Sequence, residues 1–310
     1  MQYFMLIVGF ILLIKGADFF VDGSSGLAKR LRVPTMVIGL TVVAMGTSLP
    51  EAAVSVSASI SGCNDLSISN AIGSNLFNLM VIIGVCAVIA PMEIKRSTLL
   101  HEFPFSVIVA GLLLCFGLID SGISRLEGII LLCLFLVFMF YTVVAAKRAR
   151  NSEDTEKVTG KLMPGWLCTI YIVGGAAAIA FGGRFVVNAA SNIARSFGIS
   201  ENVIGLTIVA FGTSLPELFT SIVAAKKGET DLALGNIIGS NIFNILFVLG
   251  IAASISPVSF LFNNTVDTIA LILMSILAIV FCSTKLKLVR WEGALMLTAY
   301  TGYIIYITLR

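Results

Sequence analysis

Two acids stand where acids are costly. Glu51 and Glu217 close the runs 38–51 and 204–217, which share Ile-Gly-Leu-Thr at the start and Gly-Thr-Ser-Leu-Pro-Glu at the end and are otherwise apolar. A carboxylate inside such a run is unfavourable unless something partners it. Oxygens lie within reach: Thr47 and Ser48 stand four and three residues before Glu51, and Thr213 and Ser214 stand likewise before Glu217, so on a helix the hydroxyls project beside the carboxylate. Pro50 and Pro216 remove a main-chain donor and push away the carbonyl four residues earlier, at Gly46 and Gly212, so a kink is expected beside each acid. A second pair of runs, 70–78 and 236–244, sets Ser74 four residues before Asn78 and Ser240 four before Asn244. Gly73 and Gly239 are expected to let these helices bend or approach closely.

Hydroxyl, amide and carboxylate oxygens suit hard cations such as Ca²⁺ and Na⁺, and these runs contain no thiolate or imidazole for a softer metal. Two carboxylates about 4 Å apart repel by about 4 kcal/mol even at an effective dielectric of about 20. An empty ionised site is therefore disfavoured. If the vacant protein cannot easily cross between its two faces, one cation must enter as another leaves.

Those residues must be positioned by helices in lipid. With 58% hydrophobic and 12% charged residues and a mean hydropathy of +1.03, the chain is a polytopic all-α membrane protein rather than a soluble domain. The net charge of +3 is small and the basic residues sit in connections, which excludes nucleic acid as a partner and leaves the lipid bilayer. The six cysteines are scattered without a CxxC pair and read as small hydrophobes. The first apolar run has neither a basic region before it nor a small-residue cleavage site after it, and is expected to be a mature span.

Ten spans are expected, at 3–28, 36–60, 66–90, 103–120, 125–146, 163–195, 202–225, 230–255, 266–283 and 288–308. The first and sixth exceed a bilayer's need. Lysine and arginine concentrate in the connections after the odd-numbered spans, including Lys29, Arg30, Lys95, Arg96, Lys226, Lys227, Lys285 and Lys287, so those connections are expected to be cytoplasmic and both termini extracytoplasmic. The polar stretch 147–162 divides the chain into 1–146 and 163–310. It is a tether, too short for a regulatory domain.

One offset relates the halves. Thirteen of the 18 positions in 38–55 are identical 166 residues later, as are seven of the nine in 70–78. Because an odd number of spans separates equivalent helices, the five-helix repeats must lie in the membrane upside down to each other, an arrangement in which transporters bind cargo near the midplane.

The paired Gly-Thr-Ser-Leu-Pro-Glu motifs, each followed by Gly-Ser-Asn-x-x-Asn, resemble the α-repeats of the sodium/calcium exchanger family, and the resemblance covers essentially the whole chain. It implies a Na⁺/Ca²⁺ antiporter that uses no cofactor; no nucleophile, base and orienting group are grouped for enzymatic chemistry, and because the duplicated halves enclose a site within one chain a monomer is expected to function. It also implies a ligand set of Glu51 and Glu217, the hydroxyls of Thr47, Ser48, Thr213, Ser214, Ser74 and Ser240, the amides of Asn78 and Asn244, and the main-chain carbonyls of Ala44 and Ala210. In the family, spans one and six are thought to slide across the remaining core. Potassium-dependent relatives carry Asp at the position of Asn244, so Asn here favours potassium independence. Exchange of H⁺ for Ca²⁺ and potassium-dependent exchange remain alternatives, and a cation channel is the competing class.

Other charged residues have structural roles to hand. Lys15, Asp18 and Asp22 are spaced for an internal ion pair in span one; Asp65 and Asp231 for helix caps; Glu127 and Glu292 for interfacial structure; and single His101 lies in a connection. Arg184 has no counterpart in the first half and no assigned role.

Overall fold

The computed structural model describes residues 2–62, 64–151, 162–199, 204, 208 and 210–309. Most of the tether, Cys63 and much of the start of the expected seventh span lie outside these residues. The helices are α1 (Gln2–Leu31), α2 (Thr35–Thr47), α3 (Leu49–Ile60), α4 (Asn64–Ile89), α5 (Thr98–Ile119), α6 (Arg125–Asn151) and α7 (Gly165–Ser196). A turn at Ala210–Thr213 then precedes α8 (Leu215–Lys226), α9 (Thr230–Ile255), α10 (Phe262–Lys285) and α11 (Arg290–Leu309). Seven of the helices are long and apolar enough to cross a bilayer, or eight if the bent pair α2–α3 counts as one span. Helix α1 runs for 30 residues and α7 for 32, about 45 Å each at 1.5 Å per residue, longer than a hydrocarbon core of about 30 Å.

The chain forms two compact units that do not follow the sequence halves. Unit 1 comprises Met1–Pro50 and Val143–Asn236, and unit 2 comprises Glu51–Thr142 and Ile237–Arg310. Each draws on both halves of the sequence.

In unit 1, α1 and α7 lie antiparallel with their backbones nearly touching. A Cβ added at Gly16 would come within 3.0 Å of the Gly175 carbonyl oxygen, one at Gly182 within 2.8 Å of the Gly9 carbonyl oxygen, and one at Gly23 within 3.0 Å of that of Cys168. Apolar burial drives little helix association in lipid, where the tails are as apolar as leucine, so close approach through small residues supplies the attraction instead.

Asp18 and Asp22 on α1 do not bind Lys15, as their spacing suggested. Both reach Lys227 in the turn between α8 and α9, at 2.5 and 2.6 Å, and one turn further along α1 Ser25 Oγ donates to Glu229 at 2.5 Å, with Lys29 3.5 Å from the same carboxylate. Spacing within one helix cannot reveal a partner more than 200 residues away. Burial alone would lower the Lys227 pKa, but the hydrogen bonds that its ammonium donates to Asp18 and Asp22, and then their charges, hold it above the ordinary lysine value, so the ammonium stays charged through the physiological range. Lys227→Met is expected to cost about 1 kcal/mol, the scale of partly exposed ion pairs. Thermal unfolding in detergent should show the deficit at low salt and little of it at about 1 M salt, where screening weakens the native pair; equal midpoints at low salt would dismiss the pair as stabilising.

Unit 2 is built around polar-faced helices. In α4 and α9 the most apolar windows are 72% and 83% buried, against 28% in α5, α6 and α10, which marks the first two as central and the others as peripheral. Large side chains on the outer helices point outward: Leu136, Val137 and Phe140 of α6 are 66%, 63% and 71% exposed, as lipid-facing residues should be. Two short antiparallel ribbons tie the connections, β1 (Met92–Glu93) with β4 (Lys287–Leu288) and β2 (Gly122–Ile123) with β3 (Val258–Ser259). Strand β3 lies 166 residues after β1, and β4 lies 165 after β2. The two ribbons thus stand at nearly the same offset that relates the sequence motifs.

Four carboxylates expected in structural roles sit at helix starts, Glu127 and Glu292 as caps and Asp65 and Asp231 inside the helix rather than at the cap position. Glu127 accepts from the Ser124 amide and hydroxyl at 2.8 Å while its own amide is bonded by Ser124 Oγ, a reciprocal cap, and Glu292 accepts from the Val289 amide at 2.9 Å. Asp65 and Asp231 occupy first helical turns, where a negative charge meets the positive end of the helix dipole. His101 is exposed and its ring contacts the Ser97 carbonyl. Gly73 departs from expectation: a Cβ there would meet nothing within 4 Å, so it permits no close approach.

Candidate cation site

Each proline motif breaks its helix two residues before the proline. The α2–α3 pair bends by 49° across Ser48, which has φ −85° and ψ 9°, and Ser214 takes φ −90° and ψ 5° at the matching break. The helices therefore restart at Leu49 and Leu215, placing Glu51 and Glu217 in a first turn, where helix dipole and free amides favour an anion.

In unit 1, Glu217 is fully buried, and Ser48 Oγ, from the other copy of the motif, donates to its Oε1 at 2.8 Å. The two copies thus meet. Thr47 Oγ1 lies 3.0 Å from Asn236 Oδ1 and also donates to main-chain oxygens of its own helix, at 3.1 Å to Val43 and 3.3 Å to Ala44. The Ala44 carbonyl, an implied ligand, additionally accepts from the Ser48 amide at 3.0 Å. Asn236 Nδ2 donates to Ser221 Oγ at 2.9 Å and reaches the Glu217 carbonyl at 3.5 Å, fixing the turn that carries the acid. Glu217 Oε2 is buried and has no hydrogen-bond partner among the described residues. A narrow cleft of about 200 Å³, mouth included, lies against Thr47, Pro50 and Pro216, walled by Phe20 of α1 and Ile179 of α7.

Unit 2 repeats the pattern around Glu51, which is 1% exposed. Asn70 Nδ2 donates to Ser55 Oγ at 3.0 Å and to the Glu51 carbonyl at 3.3 Å, the same contacts that Asn236 makes 166 residues later. Ser74, Ser240, Asn78 and Asn244 are all buried, at 5%, 0%, 1% and 1% exposure, on α4 and α9. Asn78 is the second residue of a π-helical turn, Phe77–Ile82, and Asn244 the first of another, Asn244–Leu249, where the wider winding turns a side chain off the ordinary helical register. Ser240 Oγ, Asn78 Oδ1 and Asn244 Oδ1 lack a hydrogen-bond partner among the described residues. Unsatisfied buried oxygens of this kind fit a cation and disfavour an apolar filling.

A model of the family described as sodium/calcium exchanger protein matches residues 1–144 and 167–309. The chain belongs to the sodium/calcium exchanger family. Within it, the chain is 32% identical over 344 residues to the sodium/calcium exchanger MaX1 of Methanosarcina acetivorans, covering 98% of this chain and 97% of that one. It is 39% identical to the putative antiporter CaxA of Alkalimonas amylolytica, covering 96% of each. Among solved structures, the sodium-calcium exchanger NCX_Mj soaked with 10 mM Na⁺ and 10 mM Sr²⁺ superimposes with a TM-score of 0.86 at 33% identity, covering 98% of this chain and 97% of that one.

For this exchanger-family chain, the structure joins Ser48 to Glu217 and Thr47 to Asn236, and it sets Asn78 and Asn244 on one pair of helices. Ser214 is buried and Thr213 half-buried at the second break. Of Ala210, only its place at the start of a helical turn is described. Sequence reasoning passed over Asn70 and Asn236, which brace the acidic turns, and Asn75 and Asn241, which bond the two Gly-Ser-Asn motifs together. The signal was present, since all four are identical between copies at the single offset of 166.

Proposed function

We propose that this membrane protein exchanges Na⁺ for Ca²⁺ by alternating access at one oxygen-lined site near the bilayer midplane. Glu51 and Glu217 are the central ligands, with the hydroxyls of Thr47, Ser48, Thr213, Ser214, Ser74 and Ser240, the amide oxygens of Asn78 and Asn244 and the carbonyls of Ala44 and Ala210 around them. The observation that carries this proposal is the bond from Ser48 of one motif to the buried Glu217 of the other. It unites two duplicated carboxylate motifs that would otherwise be unrelated kinks.

Ten spans as two inverted five-helix repeats, 1–146 and 163–310 joined by a cytoplasmic tether at 147–162, are supported by two features. Helices α1 and α7 are repeat equivalents and run antiparallel, and the ribbon β1–β4 exchanges with β3–β2 under the repeat offset. With the basic connections cytoplasmic, both termini face outward. A site completed by two motifs of one chain needs no second copy, so the monomer is the functional unit and no cofactor takes part. Asn at both 78 and 244 limits the fixed charge and favours potassium independence.

Radioactive Ca²⁺ uptake into proteoliposomes separates the alternatives. Uptake is expected only when Na⁺ is loaded inside and diluted outside, with no requirement for K⁺. Uptake driven by a proton gradient alone would replace Na⁺ with H⁺ as the coupling ion, and uptake without any opposing gradient would make the protein a channel.

A further inference from the structure

A carboxamide has one end that can ligate a cation and one that cannot. Its oxygen accepts, whereas its NH₂ group presents two positive hydrogens. For Asn78 or Asn244 to serve a cation, the amide must be held one way round.

The reciprocal bonds between α4 and α9 fix that choice. Asn75 Nδ2 donates to the Asn241 main-chain carbonyl at 3.0 Å, and Asn241 Nδ2 donates to the Asn75 carbonyl at 3.3 Å. A carbonyl only accepts, so the NH₂ ends of Asn75 and Asn241 must lie there and their Oδ1 atoms must face the other way. Asn241 Oδ1 then accepts from Asn78 Nδ2 at 3.2 Å, and Asn75 Oδ1 accepts from Asn244 Nδ2 at 3.2 Å. With their NH₂ groups so engaged, Asn78 and Asn244 are left with Oδ1 on the far side, buried and without a hydrogen-bond partner among the described residues. All four side chains are at most 3% exposed, so water does not supply a competing partner cheaply.

We propose that Asn75 and Asn241 are positioning residues for the transported cation: Asn241 turns the amide oxygen of Asn78, and Asn75 that of Asn244, toward the cargo. The proposal rests on the assignment of Asn78 and Asn244 as ligands made above. It adds that each motif's ligand is oriented by the other motif, so neither amide is aimed correctly without its opposite copy. Groups that orient a metal's ligands typically contribute about 10–100-fold to affinity when removed.

The test is the KM and Vmax of Ca²⁺ uptake into Na⁺-loaded proteoliposomes, read beside the thermal midpoint in cation-free detergent. Asn241→Leu, close in volume, and Asn241→Ala are expected to raise the Ca²⁺ KM about tenfold or more with little change in Vmax. Adding Asn78→Asp to Asn241→Leu should recover most of that loss, because a carboxylate offers an oxygen either way round. In the otherwise native protein Asn78→Asp should weaken Ca²⁺ binding, since it sets a second oxygen against Asn241 Oδ1. This reversal of sign distinguishes orientation from packing, which Asn78→Asp could not repair. Should the Asn241 variants fold poorly, Asn75→Leu with and without Asn244→Asp reads the same effect through the other pair. An unchanged KM in the positioning variants, or no recovery, overturns the proposal and leaves the ligands in place. An unchanged KM in Asn78→Leu and Asn244→Leu would instead remove them as ligands.

Discussion

Glu217→Gln is expected to abolish Na⁺-driven Ca²⁺ uptake while leaving the cation-free protein at least as stable as the parent. Glutamine matches glutamate in volume and keeps an oxygen for the Ser48 hydroxyl, so the 2.8 Å bond and the turn braced by Asn236 both survive. What is lost is a negative charge at a residue with no solvent exposure. Depriving a buried cation of a charged partner costs about 3–5 kcal/mol, on the order of a hundredfold or more in affinity. The cation-free protein, by contrast, is relieved of an acid whose ionised form burial disfavours. Thermal unfolding in detergent should therefore show an unchanged or raised midpoint without cation and no further rise when Ca²⁺ is added, because stabilisation by a ligand requires binding to the folded state. Glu51→Gln should behave alike, since Glu51 holds the equivalent place in the first motif, with its main chain braced by Asn70. Full transport by either variant would remove that acid from the mechanism.

The second large effect belongs to the contact between α1 and α7. A methyl group at Gly16 would lie 2.9 Å from the Ile179 amide nitrogen and 3.0 Å from the Gly175 carbonyl oxygen, both backbone atoms that cannot swing aside. Gly174, one residue from that contact, has nothing within 4 Å of the same position. Alanine is favoured over glycine in a helix by about 1 kcal/mol, so Gly174→Ala should be neutral or stabilising. Gly16→Ala should instead destabilise by about 1–3 kcal/mol through overpacking, and Gly16→Leu by more. Thermal midpoints of the three variants check this, and equal effects at Gly16 and Gly174 would mean that the backbones are not in contact. Transport by Gly16→Leu should fall with stability, because the helices must part to admit the side chain.

The sequence carried the chemistry more clearly than the architecture. Glu51, Glu217 and their serines and threonines stood out because a buried acid in an apolar run needs an explanation, and the single offset announced the repeat. Partners of long range were less visible. Asp18 and Asp22 satisfy local spacing rules with Lys15, and nothing in span one points to Lys227. Glycines 9, 16 and 23 recur every seven residues, yet the period of one helix does not name the helix it meets. The two-residue strands were illegible for a simpler reason, since alternation cannot be recognised in a pair such as Met92 and Glu93. Nor does a duplicated sequence say where its compact units divide: the boundary falls between Pro50 and Glu51, inside the most similar stretch of the repeat.

In unit 2, Asn75 meets Asn241 and Asn241 meets Asn75, and the ribbons trade places in the same manner. A surface on which residue i touches j while j touches i is the signature of a two-fold dimer, in which one patch is complementary to itself. At these contacts equivalent residues of the two motif copies meet as the partners of a two-fold pair would, within one chain. A change at one of these asparagines consequently removes a bond from both copies at once, because its mate in the other copy is left without a counterpart.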